Sequence, residues 1–128
     1  MSELFLRVFI ENQILPVKIN RNDFVFSIFS FLKPLAKGDL AARLSGAVVS
    51  QCQFMKLKAP VPIKSDHENF FIIDDALKAA CLDKSNQGKL NMALKLMHYF
   101  HEQPVGKHVH VVVELGPHPT ESSGQKVE

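Results

Sequence analysis

Cysteine is scarce in this 128-residue chain: there are two, Cys52 and Cys81, with no second pair and no metal-like spacing. That excludes a disulfide-dense scaffold or a Cys-rich zinc module. Two buried free thiols are the expectation, with a single disulfide as the alternative. Long apolar runs are missing as well, since no window approaches the ~18 apolar residues of a membrane span. The start, MSELFLRVFIEN, is apolar enough to suggest a signal peptide, but Glu3 and Arg7 interrupt it and no small-residue cleavage site follows. Charge of one sign is lacking too: 15 Lys and Arg against 13 Asp and Glu leave a net +2. The cations are scattered rather than massed on one helix, so no nucleic-acid contact is expected of this segment.

Catalytic signatures are also missing. No GxSxG, no phosphate loop and no paired-carboxylate spacing is present. Gly38 and Gly46 stand alone and read as helix punctuation, while Asp74 and Asp75 read as capping residues. Four histidines fall late, at His98, His101, His108 and His110. No Cys or carboxylate completes a zinc ligand set around them, and both pairs are expected at element ends near solvent. A group that charges in an acidic compartment is the alternative. The chain is therefore expected to be no enzyme and to hold no metal or cofactor.

What is present is a core. With 46% hydrophobic and 22% charged residues, the composition fits one globular domain with room for a disordered end. Residues 4–10 alternate Leu4, Leu6, Val8 and Ile10 against Phe5 and Phe9, a strand pattern. Glu11, Asn12 and Gln13 supply a turn, and Leu15, Val17 and Ile19 resume the alternation, so the first 19 residues predict a β-hairpin. Pro16 has no N–H and places the second strand at a sheet edge.

Residues 24–33 predict a helix, N-capped by Asn22 or Asp23, with Val25, Ile28, Phe29 and Leu32 on the core-facing stripe. Pro34 ends or kinks it. Phe24 and Phe31 fall outside the stripe and Phe26 on its flank. With Phe54 and Leu57 of the third strand, these are the candidate interaction residues; the alternative is a helix sandwiched between a sheet and a loop. A further helical turn or two is expected in 35–44, capped by Gly46. A short third strand follows at 53–59, ending at Pro60 and Pro62, then a loop at 61–69 and a short strand at 70–73. Asp74 caps a helix over 75–82, KSNQGK reads as a loop, and residues 90–100 predict a last helix with Leu90, Ala93, Leu94 and Met97 on one face. Val109, Val111, Val112 and Val113 then form a strand apolar on both sides, as expected in the middle of a sheet. The tail 118–128 is polar and aperiodic and reads as disordered, or as a linker to a further domain.

This order predicts an α+β fold, a mixed sheet with one main crossing helix and short extra helices, and it resembles the β-grasp arrangement of ubiquitin. More specifically, residues 1–117 resemble the N-terminal header domain of the Crinkler effectors of oomycetes and fungi. His108, Val109, Val111, Val112 and Val113 match that family's HVLVVVP motif, with His110 in place of the leucine and the proline late, at Pro117. Tyr99, Phe100, Glu102, Gln103 and Pro104 match its YFxEQP approach, and 16–19 is PVKI-like. The family's LFLAK stretch falls where this chain has FMKLKAP, residues 54–60, which departs from that uptake signal and fits a fungal member better.

The resemblance implies a non-catalytic trafficking or translocation module of a secreted effector, acting in the host cytoplasm or nucleus as a virulence factor. A separate C-terminal effector domain is then expected beyond the tail. The alternative is an intracellular ubiquitin-like adaptor that binds protein partners through a sheet face or edge, or a homodimer built on the phenylalanines. Conjugation is not expected, because the chain ends in QKVE rather than Gly-Gly.

Overall fold

The structure, a computed structural model, describes residues 3–63, 73–104 and 106–116. Alternation in the first 20 residues produces the hairpin. Strand β1 (Glu3–Ile10) pairs antiparallel with β2 (Gln13–Asn20), in continuous register from Glu3 opposite Asn20 to Ile10 opposite Gln13. The turn is shorter than expected: only Glu11 and Asn12 make it, with Glu11 at φ 58°, and Gln13 belongs to the strand. Gln13 is held there by its side-chain amide, which donates to Lys37 O at 2.8 Å and accepts from Lys37 N at 3.1 Å.

The remaining strands are β3 (Gln53–Pro62), β4 (Gln87–Lys89) and β5 (His108–Glu114), in the order β2-β1-β5-β3-β4. Strand β2 is an edge, which is where Pro16 can sit without costing a ladder hydrogen bond. Strand β5 lies in the middle, parallel to β1 through Val8–Val111 to Ile10–Val113 and antiparallel to β3. Val109 to Val113 are buried without a break, as a strand covered on both faces requires.

The two faces carry separate cores. On one, Leu4, Leu6, Val8, Val17, Ile19, Val111 and Val113 pack beneath α1 (Ile28–Leu32) and α2 (Gly38–Ser45). On the other, Phe9, Ile14, Met55, Leu57, Val109 and Val112 pack against Leu77 and Cys81 of α3 (Asp75–Cys81). Each fully buried Val, Leu or Phe contributes ~1.5–3 kcal/mol, so both layers matter to stability. The fold is α+β, with a five-stranded mixed sheet and a few short helices.

Several local expectations are corrected. The helix predicted over 24–33 is a 3-10 turn, Val25–Ser27, followed by α1, and neither Asn22 nor Asp23 caps it. Its first N–H groups find partners across the fold instead: Val25 N donates to Leu94 O at 2.9 Å and Phe26 N to Met92 O at 3.2 Å. The helix predicted over 90–100 is absent for the reciprocal reason. Leu96 N donates to Asp23 O and Met97 N to Arg21 O, each at 2.8 Å, around a bridge between Phe24 and Lys95, leaving only a 3-10 turn at Leu96–His98. The buried positions are accordingly Leu90, Leu96 and Phe100, and Met97 is exposed.

KSNQGK is not a loop but a 3-10 turn (Lys84–Asn86) and the whole of β4, because Asn86 pins it to β3 by exchanging two 2.8 Å hydrogen bonds with the backbone of Ala59. Strand β3 continues through both prolines, its register with β5 shifting between Lys56 and Val61, where a bulge relieves Pro60 of a ladder bond. The strand expected at 70–73 and the tail 118–128 lie outside the described residues, apart from Ile73, which is not in a strand. Pro34 does end its helix, and Gly46 closes α2 as expected.

Candidate interaction surface

Residues 99–104 and β5 meet on the first half of β1. Parallel pairing with β5 stops at Val8, which would leave the inward-facing N–H groups of Arg7 and Phe5 without a strand partner. Two side chains take over. His110 Nδ1 accepts from Arg7 N at 3.2 Å, and Gln103 Oε1 accepts from Phe5 N at 3.0 Å while its Nε2 donates to Glu3 O at 3.2 Å. Tyr99 fixes the preceding turn, its hydroxyl accepting from Asn91 N at 2.9 Å. Phe100 is buried, and the Lys56 ammonium lies 5.2 Å over its ring. A cleft of about 440 Å³ opens beside these groups, walled by Lys56, Lys58, Tyr99, His101, Glu102 and His110 among others.

Of the motif residues, Val109, Val111, Val112, Val113 and Phe100 are core, while Tyr99, Pro104 and His108 are half-buried at its margin. The histidines do not act alike. His98 and His101 are exposed, His108 lies 2.6 Å from Gly106 O, and His110 is only 3% exposed, contrary to the expectation that both pairs lie near solvent. Among the described residues, no group of three or more His, Cys, Asp and Glu side chains converges as a metal site would require.

Three of the five candidate interaction residues reach the surface. Phe24 and Phe26 stack with centroids 5.4 Å apart and rings 6° from parallel, and with Phe31 they are about two-fifths exposed. Phe54 and Leu57 do not: each is 1% exposed, Phe54 in the core under α1 and Leu57 in the core under α3. They are corrected to packing residues, because β3 is covered on both faces there. Sequence reasoning missed Phe5, the most exposed large apolar side chain among the described residues, with the Lys18 ammonium 5.5 Å over its ring. It also missed the bonding of Gln103 and His110 to β1. A polar side chain inside a valine run was the available signal, because a buried polar group needs a partner.

Cys52 and Cys81 are free and buried, one in each core, so the disulfide alternative falls. Burial pushes the Cys81 thiol up to about 12 and also raises that of Cys52, where a backbone hydrogen bond from Gly116 opposes it. Asp74 caps α3 as expected, accepting from Leu77 N at 2.8 Å. Among the described residues no helix is long and apolar enough to cross a membrane.

Compared with family models, curated proteins and solved structures, the chain matches none.

Proposed function

We infer that this domain is a ubiquitin-like β-grasp module serving as the non-catalytic trafficking header of a secreted, host-directed Crinkler-type effector. One observation carries the reading: the two stretches on which the family resemblance rests form a single structural unit. The HVHVVV strand lies at the centre of the sheet, and Gln103 of the EQP approach bonds to β1 where that strand's pairing ends. The strand order β2-β1-β5-β3-β4, with parallel first and last strands, supports the β-grasp assignment. On this reading the effector activity belongs to a C-terminal domain, and the destination is the host cytoplasm or nucleus.

The test is a reporter fused after residue 128 and expressed in a filamentous fungus in contact with host cells. Reporter reaching the medium and then the host cytoplasm supports delivery, whereas retention in the producing cell at the level of the bare reporter overturns it.

A second reading, a homodimer or protein-binding adaptor, is favoured by the exposed stack of Phe24 on Phe26. Light scattering over a concentration series decides it: a dimer abolished by Phe24→Ser with Phe26→Ser supports self-association, and a monomer throughout removes it.

A further inference from the structure

We propose that the outer edge of β2, from Ile14 to Lys18, is a docking site for an extended acidic peptide, which joins the sheet there as an added strand. The bonding on the far side of β1 fixes which way β2 points. Phe5 N and Arg7 N donate away from β2, to Gln103 and His110. In an antiparallel ladder a residue turns its N–H and C=O to the same side, and residues directly opposite turn either toward one another or apart. Phe5 lies opposite Lys18 and Arg7 opposite Pro16, so Lys18 and Pro16 turn outward, as does Ile14 two positions before Pro16.

The edge thus presents the N–H groups of Ile14 and Lys18 and the carbonyls of Ile14, Pro16 and Lys18. Among the described residues no hydrogen-bond partner reaches them. The open stretch is bounded at both ends: Gln13 is bonded to Lys37, and Asn20 O accepts from Asp23 N at 2.9 Å.

A row of outward donors and acceptors at strand spacing is complementary to another extended backbone. The adjoining side chains set its charge. A shallow groove of about 230 Å³ runs beside the edge, lined by Phe5, Leu6, Arg7, Pro16, Val17 and Lys18, which include two cations and no carboxylate. Glu3 lies 3.6 Å from Lys18, but both side chains are more than half exposed, so an incoming carboxylate can take its place. Every second side chain of an added strand would face this groove, where acidic groups meet Arg7 and Lys18. The alternate side chains would lie on the face where Leu15 and Val17 join the core beneath α1, which suits apolar residues. A second copy of β2 fits worse, because it would set two donor-less prolines and two Lys18 ammonium groups into one seam. The inference goes beyond the delivery and dimer readings and stands without either.

Titration of the isotopically labelled full chain near neutral pH, followed by NMR, tests the site with two blocked seven-residue peptides, one alternating valine with glutamate and the other valine with lysine. The glutamate peptide should slow exchange of the Ile14 and Lys18 amides and bind at least about fivefold more tightly than the lysine peptide, the scale of two exposed ion pairs. Arg7→Gln with Lys18→Gln should remove that preference; if this variant does not fold, the contrast between the peptides on the parent chain decides. Equal binding of the two peptides, no binding of the glutamate peptide at millimolar concentration, or binding that leaves Lys18 exchange unchanged overturns the proposal. So does a Lys18 amide already protected in the free chain, whether at every dilution, as an edge closed within the chain requires, or only at high concentration, as a second copy requires.

Discussion

Gln103 stands in for a strand: its side-chain Oε1 accepts the Phe5 N–H at 3.0 Å, at a point on β1 where β5 has stopped pairing. Its amide also donates to Glu3 O, so one side chain satisfies a backbone donor and a backbone acceptor on the same strand. Gln103→Ala should destabilise the fold by about 1 kcal/mol, the usual net value of such hydrogen bonds. Urea unfolding measures this, and hydrogen exchange localises it: the Phe5 amide should exchange faster while the Phe9 amide is unchanged. Unaltered Phe5 exchange would refute the role.

Tyr99 supplies a side-chain acceptor within its own segment, for Asn91 N at 2.9 Å, in the stretch that replaces the expected helix. Tyr99→Phe removes the hydroxyl and keeps the ring, so a loss of about 1 kcal/mol is expected, with faster exchange at the Asn91 amide. A stability within 0.3 kcal/mol of the parent would show that water replaces the hydroxyl without loss.

Gly116 passes so close to Gln51 that a Cβ there would sit 2.2 Å from the Gln51 carbonyl oxygen, whereas Gly106 has nothing within 4 Å of its Cβ position. Gly116→Ala should therefore cost about 1–3 kcal/mol through forced backbone movement. Gly106→Ala should change stability by less than about 0.5 kcal/mol. Thermal or urea unfolding of the two variants side by side checks the contrast, and equal midpoints would contradict it.

Cys81 remains a thiol far into the alkaline range, its titration pushed up to about 12 by burial. The unfolded chain ionises this group near pH 8.5, so above that pH the unfolded state binds fewer protons than the folded one. The Cys81 contribution to stability is thus full below about pH 8.5 and falls as the pH rises toward 12. Cys81→Ala should lose less stability than the parent between pH 8.5 and 10.5, and iodoacetamide at pH 8 should label neither cysteine until the chain unfolds. Rapid labelling of Cys81 in the folded protein would show that it is not enclosed.

Much of the architecture was legible because it rests on local periodicity. The hairpin follows from the alternation of residues 4–10 and 15–19, the edge position of β2 from Pro16, the α1 stripe from the spacing of Val25, Ile28, Phe29 and Leu32, and the central place of β5 from valines on both its faces. Asp74 and Gly46 work as caps because capping needs only neighbours in the chain.

What the sequence by itself determined is therefore which residues are apolar at which period, and so strands β1, β2, β3 and β5, the stripe of the main helix and most of the core. Only the tertiary structure decided the segments whose backbone bonds go to distant partners. Residues 21–26 and 92–97 satisfy one another across the fold, which cancels one predicted helix and shortens another. Asn86 makes a strand edge of an apparent loop, and β3 runs between two cores that bury Phe54 and Leu57. Gln103 and His110 acquire their roles only where β1 outruns its pairing with β5. A hydrogen bond between residues about a hundred positions apart leaves no periodic trace in the sequence, because neither partner's neighbours are constrained by it.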